Sequence, residues 1–212
     1  MDFIAPAIQA YSENHTTPET ALLQQLNRET HAKVLSPRML SGHLQGRFLA
    51  MLSYMIRPQY ILEIGTYTGY SALCLAEGLQ EGGKLITIDI NEELESFVRT
   101  YFEASGRAHQ LDFRIGNARQ IIPTLTESFD LVFIDADKPS YAQYFDLCIE
   151  KIRPGGFIIA DNVLWSGKVV NTGKIDKDTQ ILLDFNQKVQ QDDRVENILL
   201  PVRDGLMIVR KK

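Results

Sequence analysis

Two short acidic segments carry the residue types best placed to do chemistry: Asp135-Ala136-Asp137-Lys138 and Asp161-Asn162. Each directly follows a run of apolar residues that reads as a buried strand. Three acids and an amide, without His or Cys, form an all-oxygen donor set. Such a set suits a hard divalent ion (Mg²⁺, Mn²⁺ or Ca²⁺) better than zinc. If the two strands are neighbours, the carboxylates lie about 5 Å apart. They then repel unless something cationic sits between them. A salt-bridged cluster at the strand ends satisfies the same arithmetic, and spacing alone leaves both readings open. Beside a metal, Lys138 is pushed toward its neutral amine and could act as a base; without one it is an ordinary solvated lysine. Trp165 follows in the next loop, where an aromatic ring can wall a flat substrate or plug the loop onto the core.

A second group surrounds Glu63-Ile64-Gly65-Thr66-Tyr67-Thr68-Gly69-Tyr70-Ser71. The two glycines permit a sharp strand-to-helix turn and close approach of a ligand, or serve turn geometry alone. A dinucleotide fingerprint needs a middle glycine where Tyr67 stands, which disfavours NAD and FAD. Glu63 disfavours a nearby phosphate and suits a ligand with a cationic end. Asp89, 24 residues after Gly65, is spaced to accept hydrogen bonds from ribose hydroxyls, or to cap the following helix. Together the two motifs point to a nucleoside ligand without pyrophosphate.

These residues need a frame that gathers strand ends. Strands are expected at 60–64, 84–89, 111–115, 130–134 and 156–160, alternating with helices at 71–79, 91–105, 118–125, 141–151 and 179–191. That rhythm implies a doubly wound, mostly parallel α/β sheet with right-handed crossovers. Strands at 195–201 and 205–210 lie too close for a helix between them, so an antiparallel pairing closes the sheet at its C-terminal edge. In such sheets ligands bind at the carboxyl ends of the strands. Residues 1–57 read as a helical cap and 58–212 as the core of one domain. Within the cap, Thr17-Pro18 reads as a helix start ahead of Leu22, Leu23 and Leu26, and a second helix spans 41–56 up to Arg57-Pro58.

A chain of 212 residues with 44% hydrophobic and 23% charged content is an ordinary globular sequence. A net charge of −5 argues against an electrostatic grip on nucleic acid or on an anionic membrane. Cys74 and Cys148 form no CxxC pair, no apolar run approaches a membrane span, and Met1-Asp2-Phe3-Ile4 opens no secretory leader. A cytoplasmic protein is the expectation.

The segments 62–71, Phe133-Ile134-Asp135-Ala136-Asp137-Lys138 and Asp161-Asn162-Val163-Leu164-Trp165-Ser166-Gly167 resemble the cation-dependent class I O-methyltransferases, such as the caffeoyl-CoA and catechol enzymes. The likeness runs from about Ser41 to the C-terminus, where 200–206 resembles the family's ending. It implies a Rossmann-like class I methyltransferase sheet and S-adenosylmethionine as methyl donor. Glu63, Gly65, Thr66, Ser71 and Asp89 would hold the donor's methionine part and ribose, with Ala118 at the adenine. Ser41, Asp135 and Asp137 would lie at its amino-acid end. Asp135, Asp161 and Asn162 match the family's metal ligands, with Mg²⁺ the first choice, and Lys138 matches its general base. Lys138 and Trp165 would face a small phenolic acceptor carrying a vicinal diol.

Two other readings compete: a metal-independent small-molecule methyltransferase, and a non-catalytic nucleoside-binding protein. A homodimer is expected from the apolar surface of Leu22, Leu23 and Leu26 and from the family habit.

Overall fold

The computed structural model describes residues 4–212; Met1, Asp2 and Phe3 of the segment expected to open no leader lie outside the described residues. Apolar runs become strands where both faces are covered. β4 (Phe129–Ile134) is buried at every position and lies mid-sheet, flanked by β1 (Tyr60–Ile64) and β5 (Ile152–Ala160), both parallel to it. β2 (Lys84–Asp89) pairs parallel with β1, and β3 (Leu111–Ile115) parallel with β2. β7 (Leu206–Lys211) runs antiparallel to β5 and to the edge strand β6 (Val195–Leu200). The order is β3-β2-β1-β4-β5-β7-β6. Strand succession reverses between β1 and β4, which opens the ligand crevice of this architecture at their carboxyl ends.

Alternation along the strands divides the core into two layers. Leu62, Ile64, Val132 and Ile134 pack with α6 (Ala118–Ile121), α7 (Tyr141–Lys151) and α8 (Lys177–Gln190). Ile61, Leu131 and Phe133 pack with α3 (Gly42–Ile56), α4 (Tyr70–Ala76) and α5 (Glu95–Ala104). The second layer also takes Leu23 and Leu26 of α2 (Ala21–Lys33). Both leucines are at most 2% exposed, so the chain itself covers the surface that motivated a dimer.

The N-terminal boundaries depart from expectation. An additional helix, α1 (Pro6–Asn14), buries none of its residues and so shows no apolar stripe to periodicity. Helix α2 begins at Thr20, whose hydroxyl accepts the Leu23 N–H; the Thr17 carbonyl instead meets His43. Elsewhere the expected helix at 118–125 is only one α-turn, tightened into a 3-10 turn at Pro123. Strand β5 starts four residues early, at Ile152, where the register with β4 shifts between Phe129 and Leu131. Helix α3 ends with Arg57 in the left-handed region at φ 51°. Among the described residues no helix is long and apolar enough to cross a membrane.

Candidate active site

The sheet ladder continues past the strand ends and holds the acidic residues in register. Gly65 donates to the Ile88 carbonyl, Asp135 to Ile64 and Asp161 to Ile134, each at 2.9 Å. Gly65 has φ +99°, and a Cβ there would run into the Asp135 carbonyl. The protein's own backbone therefore demands this glycine, where the exit of β1 passes the exit of β4.

Glu63 is wholly buried beneath that turn. The Thr87 hydroxyl donates to its Oε2 at 2.5 Å and is itself 2.5 Å from the Thr66 hydroxyl. Its Oε1 has no partner. Burial pushes the Glu63 carboxyl up to about 8, against the hydrogen-bonded Thr87 hydroxyl, which pulls it down. An orphaned, reluctantly ionised carboxylate oxygen fits a ligand that brings a positive charge. Asp89 stands at the adjacent strand end. Its Oδ2 accepts the Tyr67 N–H at 2.7 Å and its Oδ1 the Asn91 N–H at 2.9 Å, so it ties the turn and holds Asn91, which itself caps the following helical turn. Each oxygen keeps a free lone pair for a ribose hydroxyl. Tyr67 continues outward, its hydroxyl on the Leu35 carbonyl at 2.9 Å. Buried Ala118 opens α6 behind the capping side chain of Asn117.

The second centre is built on Lys138, which is only 8% exposed and so is no solvated surface lysine. Its Nζ donates to the Tyr141 hydroxyl at 2.6 Å and to Asn162 Oδ1 at 2.8 Å, and lies 3.7 Å from Asp135 Oδ1. Desolvation lowers its pKa, opposed by the carboxylates of Asp135 and Asp161. Both carboxyls are raised, chiefly by burial; the Asp135 charge raises Asp161 further, whereas Lys138 lowers Asp135. Among the described residues, no three His, Cys, Asp or Glu side chains are grouped to hold a metal; the third oxygen here is an amide. Two mutually repelling carboxylates and that amide, an all-oxygen donor set, fit a hard cation. Asn162 adopts φ 59°, and Trp165 and Ser166 adopt φ 48° and 52°, so this loop holds three non-glycine residues in the left-handed region. The Trp165 ring packs on the core, its centroid 5.9 Å from Lys138 Nζ and its Nε1 buried and unpartnered.

Two expected donor contacts sit less plainly. Asp137 is exposed, its oxygens taken by the Ser140 and Tyr144 hydroxyls at 2.6 Å each. Ser41 stands buried before α3, but its hydroxyl caps nothing.

Three side chains at this centre went unread in the sequence. Tyr141 relays between Lys138 and the Asp161 carbonyl, to which its hydroxyl donates at 2.9 Å. Gln45, 1% exposed on α3, donates to Asp161 Oδ2 at 2.5 Å. Arg203, from the turn between β6 and β7, donates to Gln45 Oε1 at 2.8 Å and grips the Ser41 carbonyl. Only the Lys138–Tyr141 pair had a local signal, since they lie three positions apart across a tight turn.

The model of the O-methyltransferase family matches residues 12–212. The chain belongs to that family. It is 38% identical over 196 residues to caffeoyl-CoA O-methyltransferase 1 of Zea mays, covering 87% of this chain and 76% of the relative. An O-methyltransferase from Bacillus cereus, solved in complex with SAH, superposes with a TM-score of 0.90 at 30% identity, covering 97% of each chain. The SAH-bound methyltransferase PaMTH1 of Podospora anserina gives 0.90 at 27% identity over the whole of both chains. For this O-methyltransferase the expected mostly parallel sheet with its antiparallel C-terminal strand is the observed one.

Proposed function

We propose that this O-methyltransferase transfers the methyl group of S-adenosylmethionine to one hydroxyl of a small vicinal-diol phenol, assisted by a divalent cation. The observation that carries the reading is the lodging of Lys138. A buried lysine with a depressed pKa lies 3.7 Å from the Asp135 carboxylate, in the field of Asp161, and donates to the Asn162 amide, beside the donor residues. Relatives solved with SAH or SAM support the donor, and Glu63 Oε1, buried and unpartnered, suits its cationic end.

In this mechanism Glu63, Gly65, Thr66, Ser71, Asp89 and Ala118 bind and orient the donor, with Ser41, Asp135 and Asp137 toward its amino-acid end. Asp135, Asp161 and Asn162 would hold the cation, which supplies Lewis acidity toward the two acceptor oxygens. A phenol has a pKa near 10, so little phenolate exists at neutral pH. Lys138 takes the phenolic proton at Nζ. The acceptor oxygen then forms its bond to the methyl carbon as the carbon–sulfur bond breaks and the electron pair returns to sulfur. No covalent enzyme intermediate is required; the chain contributes orientation and a proton site. Trp165 would wall the acceptor ring.

Metal-independent transfer is favoured by one observation: Lys138 already balances the charge of Asp135 and occupies the Asn162 amide oxygen. Radiolabelled donor tested against catechols, flavonoids and acyl-CoA phenols, with and without Mg²⁺ after exhaustive chelation, separates the two. Product only with the cation upholds the proposal, and undiminished product without it promotes the alternative. We infer further that the working form is a homodimer. Among the described residues an exposed apolar surface lies on α3, where Met51, Tyr54 and Met55 are 59%, 51% and 79% exposed.

A further inference from the structure

We propose that Gln45 is a positioning residue for Asp161, with its amide locked in one orientation by Arg203. The inference rests on the reading that Asp161 serves the acceptor side of the site. The Gln45 side chain is buried between two partners far from it in sequence: Asp161 is 116 positions away and Arg203 is 158. An amide has a donor end and an acceptor end, and its neighbours decide which way it points. Arg203 has only donors to offer, so the Gln45 oxygen must face it. The Gln45 nitrogen is thereby turned toward Asp161 Oδ2, 2.5 Å away.

Asp161 Oδ1 meanwhile accepts the backbone N–H of Asn162 at 2.7 Å. Each oxygen thus has one fixed donor, and the carboxylate cannot rotate without losing a hydrogen bond. Its remaining lone pairs are held in a set direction. Arg203 reaches this position from a turn clamped to the same loop: Leu164 and Val163 donate to the carbonyls of Asp204 and Gly205 at 2.9 and 3.1 Å. Arg203 also grips the carbonyls of Leu40 and Ser41 at the head of α3. One guanidinium therefore ties the α3 end of the donor site to the Asp161 end of the acceptor site.

Residues that orient metal ligands without touching the ion typically change its affinity 10–100-fold when removed. Three variants, Gln45→Met, Arg203→Met and the double, would be measured with Mn²⁺ by electron paramagnetic resonance and with S-adenosylhomocysteine by calorimetry. Gln45→Met should weaken Mn²⁺ at least tenfold and leave S-adenosylhomocysteine within twofold. Arg203→Met should weaken both, because it also releases Ser41. The double variant should bind Mn²⁺ no worse than Gln45→Met alone, since both act through one link. Arg203 is exposed, so its variant folds whether or not the buried replacement does. Multiplying losses, or unchanged Mn²⁺ affinity in both single variants, would overturn the relay. A wild-type protein that binds no Mn²⁺ instead removes the cation reading. The relay is then judged on a crystal structure of Arg203→Met, where a turned Asp161 carboxylate supports it and an unmoved one refutes it.

Discussion

The backbone N–H of Tyr67 donates to Asp89 at 2.7 Å, so the residue proposed to hold the ribose also ties the β1 turn to the end of β2. Replacing Asp89 by alanine would confound the two roles. Asp89→Asn keeps a carbonyl acceptor for the Tyr67 N–H, gives up the tie to Asn91, and weakens acceptance of two ribose hydroxyls. A hydrogen bond to a charged group is worth roughly 1.5–3 kcal/mol. Affinity for S-adenosylhomocysteine should fall about tenfold or more by calorimetry, with the circular dichroism spectrum unchanged. Equal affinity would remove Asp89 from the donor site.

Glu63 predicts a proton linkage. Its carboxyl is raised from an ordinary value of 4.5 to about 8 by burial. Between those values the folded protein holds a proton that the unfolded chain has lost, so this group's contribution to stability declines as pH rises through that window. A cationic donor favours the ionised carboxylate, so binding S-adenosylmethionine near pH 7 should release a proton. Calorimetry in two buffers of different ionisation enthalpy reads that release directly, and Glu63→Gln should abolish it. Identical heats in both buffers would refute the linkage.

At the second centre, ligand and base should separate experimentally. Asp161→Ala should abolish cation-stimulated turnover while binding of S-adenosylhomocysteine stays within a few-fold of wild type. Lys138→Ala should slow methyl transfer by the 10²–10⁴ typical of general bases. Its deficit should shrink as pH rises toward the phenol's own pKa near 10, where hydroxide removes the proton unaided. A deficit that does not vary with pH would make Lys138 a positioning group. Full turnover of Asp161→Ala in EDTA would establish the metal-independent reading.

Gly205 tests the C-terminal clamp. It has φ +91°, and a Cβ there would collide with Leu164. Gly205→Ala should cost about 1–3 kcal/mol for the backbone alone. The midpoint of thermal unfolding should drop by about 2–4 °C for each of those kcal/mol. Because Leu164 lies beside Asn162 and Trp165, the acceptor KM should rise more than the donor KM.

The homodimer makes its own prediction. Light scattering at micromolar concentration should give twice the monomer mass, and Met55→Lys on the exposed face of α3 should shift the protein toward monomer. A wild-type monomer at that concentration would end the proposal.

The parallel strands could be placed from sequence because buried runs such as Leu131–Ile134 are continuously apolar and end at an acid or glycine. The pairing of Asp135 with Asp161 followed from the same rule, since β4 and β5 are successive and adjacent. Helix α1 escaped because it buries nothing, and the start of α2 because Thr17-Pro18 imitates a cap three residues before the true one at Thr20. Gln45 and Arg203 escaped for another reason. Gln45 lies mid-helix, away from any strand end, and Arg203 sits in segment 200–206, where it reads only as a turn residue; their roles arise when β6 and β7 fold back and bring that turn against α3.

That closing hairpin bears on the order in which the protein becomes competent. Residues 163–166 are held by Asp204 and Gly205, and the tie from Ser166 spans 38 positions of chain. Every parallel strand and all the residues proposed to hold the donor are synthesised before the turn that shapes this loop. A growing chain can therefore assemble most of its nucleoside pocket, all but the Arg203 grip on Ser41, while the reacting side is still unformed. A donor captured early would wait over an unfinished centre, and its sulfonium would meet an oriented acceptor only after the last strand had docked.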